Sequence, residues 1–281
     1  MKRPSFRRGL QAALLGVLVR RAKPYAGEDL ARPAIVFAPH QDDETLGCGG
    51  MILKKKEAGA ELGLVFLADG GTSHSRLMAP ELMAQTRRRE ALAAAAVLGL
   101  EPADVVFLDL PNRRVGEHQP KAVAEILTIL DQRQPAEIFV PYVKEPPADH
   151  AATHRIVMAA LHRWQRAVRV YEYPIWFWEH YPWMTGRVYG PRSRLAAGRW
   201  SLQATGSAMR DLRCRIFIGD VLESKRKALA EHRSQMSRLI DDPHWHTLAD
   251  VGSGDFLSCF FRRHELFHAY KLAFSGVKRT V

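Results

Sequence analysis

The sequence has few cysteines, and they form no pattern typical of a disulfide framework or a structural zinc site. Cys48, Cys214 and Cys259 are the three cysteines among 281 residues, and they are widely separated. Disulfide-stabilised secreted domains carry more cysteines, and structural zinc sites often show a C-x-x-C spacing. We therefore expect a reducing, cytoplasmic setting.

The sequence also lacks a long apolar run and an excess of acidic residues. The stretch LQAALLGVLV near the N-terminus has about half the length that a membrane-spanning helix needs, and no convincing cleavage site follows it. The 41 basic residues outnumber the 30 acidic ones, for a net charge of +11. This charge favours anionic partners such as phosphates, nucleotides or anionic lipids. Because no nucleic-acid recognition motif accompanies it, we expect no nucleic-acid partner.

Residues 1–32 are predicted to form a basic amphipathic segment ahead of one domain, residues 33–281, that ends in a C-terminal elaboration. In residues 1–23, apolar side chains from Phe6 to Leu18 recur at helical spacing between basic residues. Two alternatives stay open. Such a helix can lie on an anionic membrane surface, which would make the protein peripheral at the membrane, or it can pack on its own domain. The second alternative is favoured.

From Pro33 onward, apolar strands alternate with helical segments. The strands AIVFA, LGLVFLADG, DVVFLDL and EIFVPY are followed by predicted helices over 45–59, 80–98, 118–133 and 149–163. A further strand is predicted over 168–174, and another over 212–219 leads into a helix from about Asp220 to Leu239. Runs without polar alternation indicate strands buried on both faces. The pattern predicts an α/β, Rossmann-like fold with a mainly parallel β-sheet flanked by helices in three α/β/α layers.

Polar residues follow the predicted strands, at the sheet edge where ligands bind in such folds. The first strand is followed by His40, Asp42, Asp43 and Glu44, the second by Asp69, the third by Asn112 and Arg113, and the fourth by Asp149 and His150. We expect these segments to converge on one site.

The segment APHQDDETLGCGG, residues 38–50, contains the strongest signal for a metal site. His40 and Asp43 are three residues apart at a strand-to-helix turn, and His150 is the best-placed third ligand. Two histidines and one carboxylate form the ligand set of hydrolytic zinc sites, where the metal polarises a carbonyl and lowers the pKa of bound water to about 7. Asp42 is then available as the general base.

Two other interpretations of these residues stay open. The acids of the segment could cap the following helix, although three acids and a histidine exceed what capping requires. His150 and His154 have i,i+4 spacing and could chelate a metal as a pair, but HAATH lacks the glutamate of the H-E-x-x-H signature.

These segments, with ADG at 68–70, RRREALAAAAVLG at 87–99, ADHAATHR at 148–155 and KALAEHRSQ at 227–235, resemble the PIG-L / LmbE-like family of zinc-dependent N-deacetylases. The resemblance covers residues 33–268. It implies a Rossmann-like fold, one Zn²⁺ or other divalent ion per chain, and hydrolysis of the acetamide of an N-acetylglucosamine-type sugar in a glycolipid, glycan precursor or glycosylated metabolite. By position, His40, Asp43 and His150 are the implied metal ligands and Asp42 the implied base.

The chain departs from the family pattern at two positions. Gln41 stands where the family usually has proline, and Pro147 stands where it often has a histidine that stabilises the tetrahedral oxyanion. Oxyanion stabilisation must then come from zinc or from another donor, with His180 or a tyrosine of the aromatic segment YEYPIWFWEHYPW as candidates. Asp149 is expected as a partner of a ligand histidine. Glu44 is expected to cap or brace the turn.

The resemblance also implies substrate-binding residues. Arg87, paired with Glu90, and Asn112 are expected to contact the sugar. An arginine-rich segment with one acid, Asp211, could bind a phosphorylated substrate, but the alternative of a solvated basic loop is slightly favoured. Its arginines are Arg187, Arg192, Arg194, Arg199, Arg210, Arg213 and Arg215. Trp176, Trp178 and Trp183 are candidates for stacking on sugar rings, although some must belong to the core.

The sequence thus predicts a metal-dependent N-deacetylase acting on an amino-sugar-containing small molecule or glycolipid. The alternative is a binding protein for glycans or lipid-linked sugars that retains the fold and metal site but lost turnover with the change at Pro147.

Overall fold

The computed structural model describes residues 6–184, 188–189 and 193–274, and these contain one mixed sheet of eight strands. The strands are β1 Lys23–Pro24, β2 Ala34–Ala38, β3 Leu62–Ala68, β4 Val105–Leu110, β5 Glu137–Pro141, β6 Val168–Tyr173, β7 Leu212–Phe217 and β8 His264–Leu272. Their order is β1-β7-β8-β6-β5-β2-β3-β4, and only β8 runs antiparallel to its neighbours. The predicted mainly parallel sheet is confirmed.

Helices cover both faces of this sheet. They are α1 Phe6–Arg21, α2 Asp43–Glu57, α3 Pro80–Val97, α4 Gln119–Arg133, α5 Ala148–Trp164, α6 Arg194–Asp211, α7 Leu222–Glu231, α8 Arg233–Met236 and α9 Asp255–Ser258. Alternate residues of β2 point to opposite faces, as the pleat of a strand requires. Val36 packs in the core that includes α2 and α3, whereas Ile35 and Phe37 pack in the core that includes α4 and α5. The three-layer arrangement is therefore confirmed.

The position of β2 determines where a ligand can bind. This first core strand pairs with β3 on one side and with β5 on the other. The connection from β2 leads to β3 and the connection from β5 leads to β6, so the two leave their carboxyl ends in opposite directions and open a crevice at that edge of the sheet. The segments after β2 and β5 meet at this crevice.

The C-terminal part differs from the prediction in two ways. The expected continuous helix from Asp220 to Leu239 is interrupted at His232, whose φ and ψ of −76° and 60° lie outside the helical range. Strand β8 was not predicted, because polar residues alternate with apolar ones in HELFHAYKL and no apolar run marks it. It inserts between β6 and β7 and completes the sheet.

Helix α1 packs on the domain through its C-terminal half, where Leu18 is buried. Near its start, Arg7 donates a hydrogen bond to Asp255 at 2.7 Å and to the carbonyls of Pro182 and Trp183 at 3.2 Å. The basic residues Lys2 and Arg3 lie outside the described residues. None of the described helices combines the length and apolar character needed to cross a bilayer. Membrane contact of residues 1–23 stays a prediction.

Candidate metal centre and active-site cavity

The turn between β2 and α2 is held together by its own acidic side chains. Asp43 accepts the backbone N–H of His40 at 3.1 Å, and Glu44 accepts the backbone N–H of Asp42 at 2.9 Å. Asp42 adopts φ of 142° and ψ of −27°, a conformation that residues with a Cβ rarely adopt. Such strain persists where surrounding contacts impose it, and it is concentrated at functional sites.

One carboxylate oxygen of Asp43 lies between two imidazoles. Asp43 Oδ2 is 3.4 Å from His40 Nδ1 and 3.3 Å from His150 Nε2. One donor atom from each of these three residues lies within 4.8 Å of the others. The structure thus brings together the three ligands that the sequence predicted, two from the turn after β2 and one from the first turn of α5.

Each histidine places its remaining nitrogen against an acid. His40 Nε2 is 3.2 Å from Asp149 and 3.0 Å from Asn112 Oδ1, and His150 Nδ1 is 3.2 Å from Glu145. This is how carboxylates orient metal-binding histidines and fix their tautomers. Asp149 was expected beside a ligand histidine. Glu145 was missed, because an acid in the segment VKEPPAD carries no signal of its own.

The buried atoms of the group are suited to a divalent metal. His150 is fully buried, yet within the described part of the chain neither of its ring nitrogens makes a well-directed hydrogen bond. A buried imidazole whose nitrogens contact carboxylates without well-directed hydrogen bonds is costly unless a ligand is bound. Two nitrogens and one carboxylate oxygen are a typical donor set for zinc and related divalent ions. The His–Asp–His group (His40, Asp43 and His150) therefore fits a metal ion.

The charges of this group shift the pKa values of its members. Burial acts to lower the pKa of His40, but Asp149 and Asp43 raise it to about 9. Burial acts to raise the pKa of Asp43, but His150 and His40 hold it below its ordinary value. These shifts favour a positive charge on His40 and a negative charge on Asp43 when no ion is bound.

Asp42 lies beside this group and is nearly buried. Burial raises its pKa to about 6, with Asp43 contributing, although Arg87 acts in the opposite direction. The Arg87 guanidinium is 3.3 Å from Asp42 Oδ2 and also donates to the carbonyl of Gln41. Gln41, in place of the usual proline, ties the turn to β3 by donating to the carbonyl of Ala68 at 2.8 Å.

Glu44 braces the turn, as expected, and also contacts the C-terminal part of the chain. Its carboxylate is 2.9 Å from the ring nitrogen Nε2 of His232, and both side chains are buried. His232 is the residue at which the predicted C-terminal helix is interrupted. The break lets its imidazole reach the strand-to-helix turn.

A cavity of about 900 Å³ opens above the turn. Its floor includes His40, Asp42, Asp43, Arg87, Asn112 and Asp149. Two loops that no sequence pattern singles out, residues 72–77 and 244–248, form its outer walls. They are joined by His74, which stacks on Trp245 at 4.1 Å and contacts the carbonyl of His246 at 2.9 Å.

Residues 35–161, which carry the His–Asp–His group and most of the cavity floor, match the family model "PIG-L: GlcNAc-PI de-N-acetylase". This part of the chain is a PIG-L domain.

Several solved structures have folds similar to that of this chain. The N,N'-diacetylchitobiose deacetylase from Pyrococcus horikoshii has a TM-score of 0.59 and 19% identity, over 95% of this chain and 93% of that one. The 4-carboxy-2-hydroxymuconate hydratase from Pseudomonas putida KT2440 has a TM-score of 0.57 and 15% identity, over 89% of this chain and 99% of that one. A zinc-inhibited form of teicoplanin deacetylase has a TM-score of 0.54 and 14% identity, over 86% of this chain and 100% of that one. At these identities the likeness shows the fold, which hosts more than one reaction.

The family match and the His–Asp–His group both support a metal-dependent N-deacetylase.

Three residues that the sequence offered as candidates for the site have other partners. Glu90 accepts hydrogen bonds from the backbone and side chain of Ser234 at 2.8 and 2.6 Å and is not part of the cavity lining, unlike Arg87. His154 contacts Glu172 at 2.9 Å and does not join His150 in a chelating pair. His180 is buried against the carbonyl of Phe177 and does not line the cavity.

The predicted arginines and tryptophans are also distributed unevenly. Trp176 lines the cavity and stacks on Phe256, whereas Trp178 and Trp183 are buried in the core. Arg187, Arg192 and the side chain of Arg194 lie outside the described residues. The other four arginines, Arg199, Arg210, Arg213 and Arg215, do not line the cavity. The argument for a phosphorylated substrate from this segment therefore finds no support among the described residues.

Proposed function

We propose that the protein removes the acetyl group from an N-acetylated amino sugar in a glycolipid, glycan precursor or glycosylated metabolite, with zinc as its metal. The observation that carries this proposal is the His–Asp–His group beside Asp42 on the floor of the cavity. The family description, which names an N-acetylglucosamine conjugate, supports this substrate class. The donor set of two nitrogens and one oxygen favours zinc.

A divalent metal bound to His40, Asp43 and His150 would polarise the acetamide carbonyl and increase the acidity of water. Asp42 is the proposed general base. Its carboxylate lines the cavity, is adjacent in sequence to a ligand, and is held by Arg87 at 3.3 Å. It takes a proton from the attacking water as the new C–O bond forms.

The same residue completes the reaction. Protonated Asp42 returns the proton to the sugar nitrogen as the C–N bond breaks, which releases the free amine and acetic acid, and the acid then ionises to acetate in solution. No other proton carrier is required, because the proton removed from water is the one that the leaving amine needs. Arg87 holds Asp42 in place through both steps.

Asn112 and Arg87 are the proposed sugar-binding residues. The Oδ1 atom of Asn112 is engaged by His40, so its NH₂ group is left to donate to a sugar hydroxyl. Arg87 is buried, but its Nε–H has no hydrogen-bond partner among the described residues. Arg87 also lines the cavity beside Asp42, and we propose its guanidinium as the second contact to the sugar.

One observation favours a second candidate, a sugar-binding protein without turnover. Pro147 lines the cavity where the resemblance leads us to expect a histidine donor, and proline has no polar side-chain atom. A protein of this second kind would bind the metal and the sugar but would release no acetate.

The test is metal analysis of the purified protein joined to acetate release from free, nucleotide-linked and lipid-linked N-acetylglucosamine. Asp42→Asn should lower kcat about 10²- to 10⁴-fold, because it removes the base, and should leave the metal content unchanged. Asp109→Asn, at an exposed acid paired with Arg88, is the matched control. Bound metal without acetate release from any substrate would favour the binding protein. Full activity of Asp42→Asn would contradict the mechanism.

A further inference from the structure

The cavity needs a hydrogen-bond donor for the oxyanion that forms during amide hydrolysis. Pro147 supplies none, because its side chain is apolar and its backbone nitrogen carries no hydrogen. His180, a candidate from sequence, is buried outside the cavity lining. A hydrogen-bond donor that acts beside the metal must therefore come from another residue of the cavity wall.

Tyr189 lies on that wall, in the same cavity as His40, Asp42 and Asp43. Its ring packs edge-on against Trp176, with centroids 5.0 Å apart and planes at 77°. Its hydroxyl lies within electrostatic range of Asp43, a member of the His–Asp–His group, and of Asp149, which contacts His40. Among the described residues, this hydroxyl has no hydrogen-bond partner.

The backbone at Tyr189 is fixed by a buried acid. Glu179 is fully buried, and its two carboxylate oxygens accept the N–H of Tyr189 at 2.8 and 2.9 Å. It also accepts the N–H of Val188. A buried carboxylate that binds consecutive backbone N–H groups makes charge-assisted hydrogen bonds, about twice as strong as neutral ones. Glu179 therefore holds this segment against the cavity.

We propose that Tyr189 donates its phenolic hydrogen bond to the oxyanion of the tetrahedral intermediate, and that Glu179 positions it. The proton stays on the tyrosine throughout, so the step changes no bond in Tyr189. Tyr189 is about half exposed; its partial burial, together with the charges of Asp43 and Glu179, raises its pKa to about 12, and the hydroxyl keeps its hydrogen at neutral pH. This inference rests on the proposed function.

The first test is Tyr189→Phe, which removes only the hydroxyl. Loss of one oxyanion donor should lower kcat about 10²- to 10³-fold, with little change in KM, because the contact forms only in the transition state. Tyr181→Phe is the matched control, since Tyr181 is an exposed tyrosine of the same region that does not line the cavity.

The second readout is binding rather than turnover. The probe is the methylphosphonamidate of glucosamine, whose tetrahedral phosphorus and negative oxygen mimic the intermediate. Isothermal titration calorimetry on the metal-loaded protein measures the affinity for this probe. Tyr189→Phe should lower that affinity by a factor similar to the factor by which it lowers kcat. Affinity for the glucosamine product should stay the same.

The role of Glu179 is tested by a double-mutant cycle. If Glu179→Gln acts through Tyr189, it should lower kcat in the wild-type background and have little further effect in the Tyr189→Phe background. Equal losses in both backgrounds would overturn the positioning role.

The outcomes separate the inference from the proposed function. Acetate release by the wild type, with unchanged kcat and probe affinity in Tyr189→Phe, would overturn the role of Tyr189 and leave the proposed function intact. A wild type that holds metal, releases no acetate and does not bind the probe would overturn both.

Discussion

At the scale of single residues, the acids that contact His40 and His150 would determine how firmly the His–Asp–His group holds a metal. Glu145 is fully buried and accepts the backbone N–H groups of Ile175, Trp176 and Phe177 at 2.8 to 3.0 Å, besides facing His150. One side chain therefore orients a ligand and fixes the segment that carries Trp176 into the cavity.

Glu145→Gln should weaken metal binding about 10- to 100-fold, because it replaces the charge that orients the His150 ring and increases its basicity. The measurement is a metal titration in competition with a chromophoric chelator. Glu172→Gln is the matched control, since Glu172 is also a buried glutamate against a histidine, His154, but outside the ligand group. Equal weakening in both variants would refute the specific role of Glu145.

At the scale of elements, the start of α2 lies so close to the sheet that one of its glycines has no room for a side chain. A Cβ at Gly47 would overlap Cδ2 of the Tyr173 ring. That ring is buried and its hydroxyl is anchored to the carbonyl of Phe37 at 2.7 Å, so it cannot move aside. The close approach brings the turn with Asp42 and Asp43 onto the sheet edge.

Gly47→Ala should lower the free energy of unfolding by about 1 to 3 kcal/mol through overpacking. Gly198→Ala should act in the opposite direction, by about 0.5 to 1 kcal/mol, because Gly198 is exposed within α6 and a Cβ added there would meet no atom within 4 Å. Urea denaturation of both variants provides the comparison. A neutral Gly47→Ala would mean that helix and sheet are less closely packed than described.

Glu172 links three elements, α5, β6 and β8. It contacts His154 at 2.9 Å, His268 at 3.0 Å and Tyr270 at 2.9 Å. Burial acts to raise the pKa of Glu172, but the two histidines lower it from 4.5 to about 2. An unfolded glutamate takes up a proton as the pH falls through its ordinary pKa, whereas the folded one stays charged. The stabilisation is therefore complete above the unfolded pKa and is lost as the pH falls towards 2.

Glu172→Gln should consequently remove a pH-dependent part of the stability. The difference in unfolding free energy between wild type and variant should shrink by about 2 kcal/mol from pH 5 to pH 3. Denaturant titrations at several pH values measure it, with Glu57→Gln at the exposed end of α2 as the control. A difference that is constant with pH would contradict the pKa assigned to Glu172.

At the scale of the whole molecule, the core of the fold was predictable from sequence. Helices α2 to α5 begin and end within two residues of their predicted bounds. Strands buried on both faces must be apolar throughout, and each helix between them fills one crossover, so the pattern is local and unambiguous. The ligand group was predictable for the same reason, since its residues directly follow such strands.

The features that the sequence did not predict depend on contacts between distant parts of the chain. Glu145, Glu179 and His232 are polar residues in irregular segments, and each is buried by a partner that sequence spacing does not reveal. The loops at residues 72–77 and 244–248 meet through the stack of His74 on Trp245. These are the features that shape the cavity, and they follow from tertiary packing rather than from local propensity.

The ligand group also has a mechanical consequence. Asp43 and His150 follow neighbouring strands but are more than a hundred residues apart along the chain, and the three cysteines are unpaired. A metal held by both residues closes this long loop, and such closure restricts the unfolded chain in the way that a cross-link does. The ion would therefore link the two halves of the sheet reversibly, and the concentration of metal would determine how susceptible the chain is to proteolysis.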